Sequence, residues 1–119
     1  MSERFVKIAL VYLVLGASLG IYMGISQDFA LMPVHAHILL AGWLTLAMAG
    51  VLYRLHPAAA GTRLALAHFW LHNLGLPVFM VGLGLMLSGR ATMPPVIATG
   101  AIALLVGLAC FALNLWRRL

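Results

Sequence analysis

Charge is what this chain has least of. Seven basic and two acidic side chains make up only 8% of its 119 residues. Soluble domains carry about 25% charged residues, so composition excludes an ordinary soluble globular fold. Cysteine is nearly absent too. Cys110 stands alone inside an apolar run, which rules out an intrachain disulfide and a CxxC site and reads as a small buried hydrophobe. The formal net charge of +5 does not point to nucleic acid, because the basic residues fall at the ends of apolar runs and form no stripe. There is no soluble domain, no low-complexity segment and no cytoplasmic enzyme motif.

What is there is apolar: 65% of the chain is hydrophobic. The pattern predicts a single all-α, integral membrane domain over 1–119, with four helices over about 5–25, 34–55, 63–87 and 93–116. Each is long enough to cross roughly 30 Å of hydrocarbon. The first run begins like a signal peptide, with Gly16-Ala17-Ser18 as a cleavage site, but it stays apolar to Ile25, beyond a signal core. Gly16, Gly20 and Gly24 share one face there, where another helix can approach closely. Pro33 suits a helix start. Tyr53-Arg54-Leu55-His56-Pro57 reads as an interfacial belt closed by a proline, with His56 solvated. Ala58–Thr62 reads as a loop, Pro77 as a kink in the third helix, and Ser88–Thr92 as a turn holding Arg90. Gly100 and Gly107 in the fourth helix suit close contacts. Arg4, Lys7, Arg54, Arg63, Arg117 and Arg118 all fall on one side, against Arg90 alone on the other. That bias predicts both termini in the cytoplasm of a bacterial inner membrane.

The chemistry-bearing residues are histidines. In Pro33-Val34-His35-Ala36-His37 two imidazoles stand at the mouth of a run with no charge before Arg54. An imidazole in hydrocarbon needs a partner, so such residues are functional candidates. Successive helical residues turn by about 100°, so His35 and His37 face different sides, and one metal does not take both from a regular helix. The plain alternative is a pair of interfacial histidines bonded to carbonyls or water. His68 and His72 are four apart and share a face of the third helix. At about 1.5 Å rise per residue they lie some 15 Å from the first pair along the membrane normal, so the two pairs do not ligate one iron or copper. Read sharply, His68 and His72 form a second metal or proton-relay site; read plainly, they form a buried polar network with Asn73 that fixes packing. Two histidines alone leave a copper or zinc ion short of ligands.

A bis-histidine haem suits the outer pair. Haem iron takes a neutral imidazole on each face, and its propionates need cationic partners such as Arg90. With only the second helix offering histidine at that depth, the opposite ligand has to come from another copy of the chain.

The stretch His35-Ala-His37-Ile-Leu-Leu-Ala-Gly-Trp43 to Leu52-Tyr53-Arg54-Leu-His-Pro57 resembles the tenth helix of subunit I of the haem–copper oxidases, a superfamily that includes the nitric oxide reductases. There an H-x-H pair near the outer surface binds two haems, one per histidine. His68-Phe69-Trp70-Leu-His72-Asn-Leu-Gly75 is similar to the eleventh helix, and Gly89-Arg90 with Met93-Pro94 to the basic turn that holds haem propionates. The likeness covers about 33–94. It implies haem b, with His35 and His37 as iron ligands and Arg90 as a propionate partner. His72 has no counterpart in it, and His68 matches a position without a ligating role. The family's subunit has twelve helices in three arcs of four; this chain matches one arc and lacks separate copies of the copper-ligand helices. The resemblance therefore implies an incomplete oxidase whose homotrimer would rebuild the twelve-helix layout.

The expected function is thus a haem b-binding membrane cytochrome in electron transfer or diatomic gas chemistry, surrounded by lipid and served by a quinol or a cytochrome. Two other classes compete: a non-enzymatic membrane subunit or assembly factor, and a copper or zinc binder using His68 and His72.

Overall fold

The computed structural model describes residues 1–119 and is all-α. Its four long helices are α1 (Ser2–Ser26), α2 (Met32–Leu55), α3 (Arg63–Leu87) and α4 (Pro94–Arg118). All four are long and apolar enough to cross a membrane, so this is a multi-pass membrane protein. The expected spans lie at these places with small shifts. α1 starts at Ser2 rather than Phe5 because its first turn stays helical through exposed Arg4, whose long stem can lie along apolar surface with its charge in water. The loop expected over Ala58–Thr62 is partly helical: Pro57–Ala60 forms one turn, with the proline where a missing N–H costs nothing. α3 continues through Pro77, which has no N–H to return to the carbonyl of Asn73.

Local chemistry sets the ends. Pro33 lies in the first turn of α2. The Thr62 hydroxyl caps α3 by accepting from Ala65 N–H at 3.1 Å. α3 ends in a Schellman turn: Gly89 takes φ 73°, Gly89 N–H donates to Met86 O and Arg90 N–H donates to Leu85 O. That turn fixes where Arg90 leaves the helix.

Sequence did not foreshadow one feature of α2. From Ile38 to Leu44 the helix widens into a π-helical stretch. Thr45 N–H reaches back five residues to Leu40 O, and α-helical pitch resumes from Thr45 to Leu55.

The helices pair as α1 with α2 and α3 with α4. Glycines set both crossings. A β-carbon on Gly75 would lie 2.8 Å from Leu104 N, and one on Gly100 would strike the backbone of Phe79. In α1, Gly16 faces Leu39 and Gly20 faces the His35 ring, whereas Gly24 meets nothing within 4 Å. The close-approach face expected of all three glycines is therefore used by the first two. The basic end of the molecule carries both termini. Toward it lies a core of 9 buried residues that includes Phe5, Leu46, Tyr53, Phe69 and Leu115. The far half holds a core of only 4, Val34, Leu76, Met80 and Leu104.

Candidate functional site

His35 and His37 occupy the first turns of α2, directly ahead of the π-helical stretch. They do face different neighbours. The His35 ring leans on α1, with Nδ1 2.8 Å from Gly16 O and its ring over Gly20. The His37 ring turns toward α3 and meets Phe79 edge-on at 5.2 Å between centroids, with Nδ1 2.7 Å from Pro33 O. A carbonyl oxygen only accepts, so each Nδ1 carries the proton and donates. In the neutral form of either ring the lone pair is then on Nε2. Both side chains are half-buried.

The second pair is organised differently. His68 and His72 are fully buried, and they belong to one chain of hydrogen bonds. His72 Nε2 lies 2.8 Å from Ala41 O, His68 Nε2 lies 3.2 Å from His72 Nδ1, and the Tyr53 hydroxyl lies 3.1 Å from His68 Nδ1. The carbonyl fixes the direction of all three bonds. His72 Nε2–H must donate to it, so neutral His72 accepts at Nδ1. His68 therefore donates from Nε2–H and accepts at Nδ1 from the Tyr53 O–H. Each of the four ring nitrogens has one partner and each bond one polarity. The His68 ring is stacked between Phe5 of α1 and Phe111 of α4, at 4.9 and 4.7 Å between centroids. All four helices meet around it.

Asn73 is not part of this chain, contrary to the network expected from sequence. Its Nδ2 donates to Phe69 O on its own helix at 2.7 Å, and its buried Oδ1 has no partner. The reason is angular: one residue beyond His72, Asn73 points about 100° away from it. The partners that complete the chain are Tyr53, which the sequence presents as a belt aromatic, and a backbone carbonyl of α2. No sequence pattern marks Ala41 as an acceptor; its role comes from the widened turn. Nearby, buried Asn114 donates to Ala59 O at 2.9 Å and ties α4 to the turn between α2 and α3.

Arg90 is exposed at the far end. It lines a cavity of about 520 Å³ with Tyr22, Asp28, Leu31 and Val34. Leu31 and Val34 bring this cavity to the start of α2, the end that carries both His35 and His37. His56 sits at the basic end between α2 and the Pro57–Ala60 turn, half-buried. The two histidine pairs share no hydrogen bond. No three His, Cys, Asp or Glu side chains gather where a metal ion would sit. Comparison of this chain with protein-family models, with curated proteins and with solved structures returned no match.

Proposed function

We propose that the protein is a haem b-binding membrane cytochrome related to subunit I of the haem–copper oxidases, with His35 and His37 as iron ligands. The observation that carries this reading is the state of the two imidazoles. A ligating histidine characteristically donates its second ring N–H to a carbonyl or carboxylate, which fixes its tautomer and raises its basicity. His35 Nδ1 and His37 Nδ1 each meet a backbone carbonyl, at 2.8 and 2.7 Å. In its neutral form each ring therefore presents Nε2, the donor that haem iron takes. His68 and His72 have no such nitrogen to spare, and this favours haem at the outer pair over copper or zinc at the buried one.

Each residue has a task in this reading. Gly20 clears the space in which the His35 ring stands. Gly16 O and Pro33 O hold the two rings in register. Arg90 supplies a cation for a propionate, at the end of α2 that carries both histidines. A bound haem would supply one-electron redox chemistry, in electron transfer from a quinol or a cytochrome, or in diatomic gas chemistry where an axial position stays open. The two rings face different neighbours, so one iron does not take both. A homotrimer, with a haem between His35 of one copy and His37 of the next, accommodates both ligands and restores a twelve-helix layout. The distribution of Lys and Arg orients the chain with both termini in the cytoplasm of a bacterial inner membrane.

The test is a visible spectrum of the purified protein in detergent. A Soret band with sharp reduced α and β bands is expected, and His35→Ala and His37→Ala should each remove it while His56→Ala keeps it. Colourless protein carrying copper or zinc would replace this reading with the metal binder. Colourless, metal-free protein would replace it with a non-enzymatic subunit or assembly factor.

A further inference from the structure

The widened turn of α2 creates a vacancy that one side chain fills. In an α-helix the Thr45 N–H would donate to Ala41 O, four residues back. Here it donates to Leu40 O, and the Thr45 hydroxyl donates to that same oxygen at 2.8 Å. Ala41 O thereby loses its α-helical donor, and His72 Nε2–H takes that place from α3 at 2.8 Å. A β-carbon on Gly42, inside the same turn, would lie 2.5 Å from Tyr12 Cγ. Tyr12 of α1 thus packs against the widened turn from one side while His72 bonds to it from another.

A π-helical turn holds one residue more than the α-helix it interrupts. Closing it would rotate everything on its N-terminal side by about 100° relative to the rest of α2. His35 and His37 lie on that side. We propose that His72 is a positioning residue: by donating to Ala41 O it keeps the turn of α2 open and so sets the faces on which His35 and His37 stand. It touches neither of them and acts through the backbone alone. Tyr53 and His68 serve the same end: once His72 donates to the carbonyl, their bonds satisfy its Nδ1 and hold its ring in place. What this does for a haem rests on the function proposed above; the rotation itself does not.

The experiment reads helix phase directly, in full-length protein in lipid nanodiscs with Cys110→Ala as background. Spin labels at Ala36→Cys and Met48→Cys, both exposed positions on either side of the turn, report collision with dissolved oxygen. In the parent both collide freely. With His72→Leu, accessibility at position 36 should fall severalfold while position 48 keeps its value. His72→Gln, whose amide can still donate to Ala41 O, should behave as the parent. Deleting Leu40 from the His72→Leu protein removes the extra residue and should restore accessibility at position 36. If His72→Leu alone fails to fold, recovery of the fold and of the parent pattern by that deletion supports the proposal equally. Unchanged accessibility at position 36 in folded His72→Leu would overturn it, as would failure of the deletion to restore either phase or fold. Neither readout needs haem, so a colourless protein that shows the rotation would sink the haem reading and leave this one standing.

Discussion

Tyr53 and Asn73 are polar residues with opposite expected effects. Removing the Tyr53 hydroxyl with Tyr53→Phe leaves His68 Nδ1 buried without its donor, which costs about 1–3 kcal/mol. It also frees His68 to adopt the other tautomer, which takes the Nε2–H away from His72 Nδ1 and loosens the hold on the His72 ring. Asn73→Leu removes a buried oxygen that already has no partner and gives up only an i−4 bond to Phe69 O. It should leave stability unchanged or raise it by about 1 kcal/mol. Thermal unfolding in detergent, followed by helical ellipticity, checks both. Equal losses in the two variants would mean that Asn73 contributes to the polar network after all. The placement of His68 between Phe5 and Phe111 sharpens the contrast, since its ring is held flat on both faces and can answer to Tyr53 only along its edge.

Among whole elements, the pairing of α3 with α4 depends on backbone contact at glycine, and the pairing of α1 with α2 depends on it in part. Gly100→Ala would drive a methyl into the backbone of Phe79, which cannot move aside as a flexible side chain would. A loss of about 1–3 kcal/mol is expected from such overpacking. Gly24→Ala meets no atom within 4 Å and should be neutral, or gain up to about 1 kcal/mol from helix propensity. Unfolding curves for the two variants in the same detergent separate the cases; a large loss at Gly24 would show that a partner outside the chain packs there. The same contrast shows how much was legible beforehand. Hydropathy placed the four spans because burial in lipid acts on every residue of a run. Helical period joined His68 to His72 because four residues make about one turn. The glycine spacing named a face but not how far it is used, since Gly24 differs from Gly16 only in what stands opposite. The widened turn was invisible because Ile38–Leu44 is an ordinary apolar run by composition. Its pitch follows from Tyr12 and His72, residues distant in sequence that meet it only once the helices have packed.

On the scale of the molecule, the two halves are unequally filled. The helices converge at the basic end around His68, with a core of 9 buried residues against 4 in the far half. The Cα envelope is 46 × 29 × 18 Å, so the cross-section is oblong rather than square. His35 and His37 lie in the half with less protein around it, and neither of the two cavities is lined by them. On the function proposed above, a planar cofactor at these imidazoles would stand at the edge of the bundle, against lipid or against a second copy. Cyclic symmetry makes the second arrangement testable, because a head-to-tail ring presents two different surfaces of one chain at every junction. Co-expressed His35→Ala and His37→Ala chains, each haem-free alone, should recover haem when they assemble together. Some junctions then draw intact His35 from the His37→Ala chain and intact His37 from the His35→Ala chain. With random mixing about one junction in four is complete, so about a quarter of the parent Soret intensity per chain is expected. Native mass spectrometry of the coloured fraction should give three chains of 12.8 kDa each. Recovery of no haem from mixed assemblies, with each parent chain folded and trimeric, would show that both ligands come from a single copy.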